Sequence, residues 1–207
     1  MAGIVPYIEV TLSWLFKNAR GRDDKSFYTL PAFASHAEQT ITVTSPDCGA
    51  SPATLGPEYI HEGGGRIPGL SWTAPSDLEP KVKQWLIVVE DPDAPLPTPI
   101  CHGIYGGIAS ETRQVNAQDF EVEDENISLL KGGFHWGKGR RDVVYLPPRP
   151  LLNHGPHRYF FEVVALSEPL DKQMLEARAT KEQVAEAIVG KVLGWGMWVG
   201  SCERRWQ

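Results

Sequence analysis

Trp85-Leu86-Ile87-Val88-Val89-Glu90-Asp91-Pro92-Asp93-Ala94-Pro95 runs from five apolar residues into an acidic turn braced by prolines. The apolar run, rich in β-branched side chains and bounded by turn residues, reads as a buried strand. Two carboxylates, Asp91 and Asp93, then stand two residues apart on a backbone restricted by proline. A strand ending in a stiff acidic turn is a good place to hold a side chain still. Asp and Pro also favour turns for purely local reasons, so the weight of this stretch depends on what surrounds it.

Downstream, Cys101-His102-Gly103-Ile104-Tyr105-Gly106-Gly107-Ile108 reads as a second strand, its glycines marking a bulge or a close backbone approach. Residues 109–142 read mostly as loop, with the acidic run Glu121 to Glu125 as a solvated face. Val143 to Leu146 leads into Pro147-Pro148-Arg149-Pro150, a rigid extended segment. Tyr159 to Leu166 is aromatic and β-branched, a core strand. Upstream, Thr40 to Thr44 alternates as a strand does, and Leu70 to Thr73 is a short strand candidate. Residues 4–17 predict an amphipathic helix, with Pro6 at its first position and Ile8, Leu12, Leu15 and Phe16 forming a stripe that should dock on the core. Near the other end, Thr180-x-x-Gln183 is a capping box. Val184, Ala187, Ile188 and Val192 continue that helix and Gly194 stops it, ahead of a Trp- and Gly-rich tail. The expectation is a mainly β chain with flanking N- and C-terminal helices, a single domain over 1–207 with its core at about 40–200.

Composition removes several classes of function. A net charge of -6 and no basic stripe argue against a nucleic-acid partner. Cys48, Cys101 and Cys202 are scattered, which argues against a disulfide framework or zinc knuckle and favours a reducing compartment. No apolar run approaches the roughly 20 residues of a membrane helix, and no basic-then-apolar leader opens the chain. An integral membrane protein is therefore not expected, and a cytoplasmic placement is. No H-x-H or H-E-x-x-H spacing supports a metal, and Gly63-Gly64-Gly65 lacks the Lys-Ser/Thr of a phosphate loop, so no metal or cofactor is expected. His36, His61, His135 and His154 read as surface or structural.

Four segments carry groups suited to chemistry: Asp91 and Asp93 after one strand, His102 opening the next, Tyr145 to Pro148, and His157-Arg158-Tyr159 opening a third. Strands adjacent in sequence are usually adjacent in space, so these ends would ring one small pocket. Asp91-Pro92-Asp93-Ala94-Pro95, then His102, then Gly155-Pro156-His157-Arg158-Tyr159 resembles the signature of the phosphatidylethanolamine-binding proteins, the family of the Raf kinase inhibitor proteins, here of fungal type. Ile67-Pro68-Gly69-Leu70-Ser71-Trp72 is also similar, and the resemblance spans about residues 40–200.

The resemblance implies a sandwich of two antiparallel β-sheets and a pocket for anionic groups. That pocket would be lined by Asp91, His102, Pro147, His157 and Tyr159, with Asp93, Pro95, Tyr105, Tyr145 and Leu146 as further ligand-binding positions. Arg158 would lie under the site and pair with the acidic turn, Asp91 being its expected partner. One departure matters. Val144-Tyr145-Leu146 stands where the family carries a glycine-containing stretch, so bulky apolar walls are expected in place of backbone N–H groups. Two functions follow. The first is a binding module for an anionic or amphiphilic small molecule, with a protein partner left open. The second is a cofactor-free acid–base enzyme, a cyclase or isomerase of a phenolic or polyketide-like substrate in secondary metabolism. There Asp91, His102, His157 and Tyr159 would be the catalytic groups. No G-x-S-x-G elbow supports a serine hydrolase.

Overall fold

The computed structural model describes residues 4–206. Helix α1 (Ile4–Leu15) precedes strands β1 (Thr42–Thr44), β2 (Ala53–Thr54), β3 (Leu70–Thr73), β4 (Gln84–Asp91), β5 (Ile100–Ala109), β6 (Gln114–Val115), β7 (Val122–Asp124), β8 (Leu129–Leu130), β9 (His135–Trp136), β10 (His157–Leu166) and β11 (Val192–Cys202). Two short helices, α2 (Lys172–Glu176) and α3 (Lys181–Ala187), lie between β10 and β11. The small sheet has the order β1-β3-β6 and the large one β2-β11-β10-β4-β5-β9-β8-β7. Pairing is antiparallel throughout except for the two-residue contact of β2 with β11, which is parallel.

β4 is central in the large sheet and buried along its whole length. Its side chains alternate between two cores, as the period of a strand requires. Trp85, Ile87 and Val89 pack with Val43, Leu70, Trp72 and Val115 of the small sheet. Leu86 and Val88 pack with Phe27, Val184, Ile188 and Trp195 on the helical side. The Trp72 and Trp85 rings, 5.7 Å apart, join the two sheets. The molecule is thus a sandwich with helices on its outer face, and both faces of β4 are covered. The same alternation puts Asp91 on the small-sheet face and Glu90 on the helical face.

Three expectations change. Segment 109–142 is not mostly loop: β6 to β9 extend both sheets from it. The C-terminal helix ends at Ala187, and Val192 opens β11, the longest strand, where a tail was expected. Its glycines hid it. A Cβ on Gly196 would lie 1.8 Å from the Ile41 carbonyl oxygen, and one on Gly194 2.4 Å from Thr40 Oγ1, so the chain at 40–41 can cross this strand only where side chains are missing. Helix α1 docks by its other face. Ile8, Leu12, Leu15 and Phe16 are exposed, while Glu9 and Ser13 are buried. Glu9 sits between Arg149 at 2.8 Å and Arg204 at 2.9 Å. Burial would push its carboxyl up, but the two guanidinium groups hold it below the usual carboxylate range.

On the helical face Glu162 is fully buried, and neither of its oxygens finds a hydrogen-bond partner. Burial, reinforced by the charge of Glu90, pushes its carboxyl far above the ordinary range. The folded chain therefore keeps a proton that the unfolded chain gives up near pH ~4.3. That contribution is fully present below this value and is lost as pH rises toward the folded pKa. Glu162→Gln, which mimics the neutral acid, should be more stable than the natural chain at pH 8 and lose its advantage toward pH 4. Urea unfolding at both pH values measures this, and an advantage that does not grow with pH would refute it.

Candidate functional site

Where β4 ends and β5 begins, a cavity of about 470 Å³ opens, lined by Asp91, Ile100, His102, Leu146, Pro147 and His61, with Arg140, Arg141 and Arg149. The Leu146-Pro147 wall is clipped to β5. Leu146 donates its N–H to the His102 carbonyl at 2.8 Å, and Tyr105 donates its hydroxyl to the Val144 carbonyl at 2.8 Å. The turn at 61–65 presses on the wall from outside. His61 donates its N–H to the Pro148 carbonyl, and a Cβ on Gly65 would meet Pro147 Cγ at 2.3 Å. Gly65 also has φ +67°, so glycine is required there twice over.

His102 is 4% exposed. Its Nδ1 lies 2.5 Å from the Leu146 carbonyl oxygen, which has no proton to give, so Nδ1 carries the hydrogen and donates. Nε2 then carries the lone pair, and it is buried without a partner. Burial lowers the pKa of His102, against the opposing pull of the Asp91 charge, which keeps the ring neutral. The Tyr159 ring, fully buried, stands edge-on to it at 5.2 Å and props its orientation.

Asp91 accepts the N–H groups of Asp93 at 2.8 Å and Ala94 at 3.0 Å through Oδ1. Its Oδ2 accepts from His157 Nδ1 at 2.8 Å. Arg158 is not its partner. Arg158 donates through Nε and Nη2 to Asp93, at 2.8 and 2.9 Å, and through both terminal nitrogens to Asp23. Asp93 is buried but the Arg158 side chain is 39% exposed, so this fork braces the turn from the outer face and does not lie beneath the pocket. Burial would raise the Asp93 carboxyl, but Arg158 brings it below its ordinary range.

The predicted residues therefore divide. Asp91, His102, Leu146 and Pro147 line the cavity, with His157 and Tyr159 packed behind them. Asp93 and Pro95 are not among the lining, and Tyr105 is a core residue. Tyr145 turns away from the cavity and packs against the inter-sheet core, its hydroxyl buried without a partner, so the expected apolar wall shrinks to Ile100, Leu146 and Pro147. What the sequence reading missed is charge. Arg149 is tied to Glu9 and Glu62, but among the described residues no carboxylate pairs with the exposed Arg140 or Arg141. Of the histidines read as surface or structural, His61 lines the cavity and the buried His154 bonds His157 behind it. Cys101 is inert, its thiol pushed up to about 12 by burial.

Comparison with known proteins agrees with this fold. The sequence pattern described as phosphatidylethanolamine-binding protein matches residues 39–203. A "phomoidride biosynthesis cluster protein B" from Talaromyces stipitatus is 45% identical over 206 residues, covering 98% of this chain and 84% of that one. A protein of the same name from a second fungal source is 44% identical over 208 residues, covering 100% of this chain and 99% of that one. Among solved structures, a homolog from Chlamydia trachomatis superposes with TM-score 0.63 at 22% identity, covering 81% of this chain and 99% of its own. That likeness establishes the fold.

Proposed function

This chain belongs to the phosphatidylethanolamine-binding protein family, and from that premise we propose that its pocket binds a small organic anion of fungal secondary metabolism and that His102 takes a proton from it. The observation that carries the reading is the His102 ring at the cavity wall, locked by the Leu146 carbonyl so that Nε2, buried and without a partner, keeps an unused lone pair. A phosphate group brings acceptors and meets that lone pair badly. A carboxylic acid bearing an acidic C–H, or an enol or phenol, brings the proton the site lacks. Arg140 and Arg141 hold the carboxylate and stabilise the enolate that forms. The imidazolium produced on His102 keeps its bond to the Leu146 carbonyl. A proton taken from carbon is the first step of an isomerisation or cyclisation, without any cofactor. The names of the two fungal relatives support a place in such a pathway.

A thermal-shift series tests the anion class. Succinate and 2-oxoglutarate should raise the melting temperature more than inorganic phosphate or phosphorylethanolamine, since ligands of the native state stabilise it by mass action. Arg140→Ala with Arg141→Ala should remove the shift while leaving the unliganded melting temperature unchanged. A larger shift with phosphorylethanolamine would return the site to headgroup binding, and a dicarboxylate shift that survives the double substitution would remove the arginines from it.

A further inference from the structure

Behind the pocket, four groups stand in one unbroken line of hydrogen bonds. His157 Nδ1 is 2.8 Å from Asp91 Oδ2, His157 Nε2 is 2.8 Å from His154 Nδ1, and His154 Nε2 is 3.0 Å from the Phe16 carbonyl oxygen. The line starts at the cavity wall and ends just beyond α1, in a segment outside residues 39–203 that the family pattern covers. Asp91, His157 and His154 are 3%, 2% and 5% exposed, so water does not complete these bonds.

Counting protons constrains the line. Each of the three bonds needs one hydrogen. The Phe16 carbonyl has none to give, and Asp91 already accepts two backbone N–H groups in its carboxylate role. With Asp91 as a carboxylate, all three hydrogens sit on the two imidazoles, and two neutral imidazoles carry two. We propose that the pair holds a third proton, lodged on His157 as an imidazolium against the Asp91 carboxylate, and that His154 is the positioning residue that keeps it there by accepting from Nε2.

The surroundings distinguish the two rings. His154 is the neutral one: burial lowers its pKa, and the charge of Arg20 adds to this. Arg20, which donates to the His154 carbonyl, is the charged group facing it from the N-terminal segment. Asp91 from β4 faces His157, and His102 from β5 stands beside that pair. The consequence reaches the pocket, because the positive charge on His157 lowers the pKa of His102 and so helps to keep it a base. The N-terminal segment thereby becomes part of the site, since it supplies the last acceptor of the line.

The test needs no ligand, so its failure is distinct from failure of the proposed substrate class. The full chain, labelled with 15N-histidine, is examined by long-range 1H–15N correlation at pH 7. His157 should show both ring nitrogens protonated, and His154 only Nε2. In His154→Leu, which removes the acceptor, His157 should lose the Nε2 proton, and His154→Gln, whose side-chain oxygen can accept, should restore it. A His157 ring carrying one proton in the natural chain would overturn the proposal, as would one that stays doubly protonated in a folded His154→Leu protein. Should His154→Leu fail to fold, the natural chain and His154→Gln still decide it.

Discussion

Asp91→Ala should destabilise the chain by about 3–5 kcal/mol, the cost of leaving a buried charge without its partner. Asp91 is 3% exposed and its carboxylate serves three donors. Two are backbone N–H groups, of Asp93 and Ala94, which close the turn after β4. Each loses its acceptor, and a buried donor left unpaired costs about 1–3 kcal/mol. The third is His157 Nδ1, 2% exposed, which can turn to no other carboxylate: Asp93, the other acid of the turn, is fully engaged with Arg158 and Gly21. The group that is stranded is thus a histidine behind the pocket and not Arg158. Asp91→Asn separates the contributions. It preserves the shape and can still accept through Oδ1, so it should cost less in stability while abolishing the charge opposite His157. Urea unfolding of both variants measures this. An Asp91→Ala protein within about 1 kcal/mol of the natural chain would mean that the line of bonds carries no weight in the fold.

The parts of this molecule that could be read from its sequence are those with local causes. The run Trp85 to Val89 is apolar at every position because a central strand is covered on both faces, and the turn after it announces itself by composition. The capping box at Thr180 and Gln183 is local too, and both of its bonds are present. Where contacts are distant the reading failed. The apolar stripe of α1 suggested a docked face, but two arginines 140 and 195 positions away capture Glu9 instead. Gly194 reads locally as a helix stop with a tail behind it, because the chain that crosses Gly194 and Gly196, residues 40–41, lies far off in sequence. The same holds at the site. Asp91, His102 and His157 were found through a resemblance spanning three motifs. Arg140 and Arg141 sit in a loop without periodicity, and nothing near them marks them as pocket residues. His154 stands three positions before His157, a visible spacing, yet their rings meet because Asn153 at φ +60° and Gly155 at φ +90° fold that segment back on itself.

His102→Gln should leave the fold intact and remove the chemistry. Glutamine can still donate to the Leu146 carbonyl through its amide, so the wall of the cavity stays clipped and the stability change should remain within about 1 kcal/mol. It has no basic lone pair. One positioned acid or base typically contributes about a hundred- to ten-thousand-fold, and exchange of the acidic C–H of bound 2-oxoglutarate with solvent deuterium should fall by that factor. Affinity for the same dicarboxylate should hardly move, because the arginines that grip it are untouched. This split between binding and exchange distinguishes a base from a residue that merely shapes the pocket. The pH profile adds a second constraint. Burial lowers the pKa of His102 below the ordinary value of about 6.5, so exchange in the natural chain should persist below pH ~6.5 and fail only when the ring finally takes a proton. Exchange that is equally fast in His102→Gln would remove His102 from the mechanism. Tight binding with no exchange in the natural chain would leave the family fold here as a carrier of organic anions and not a catalyst.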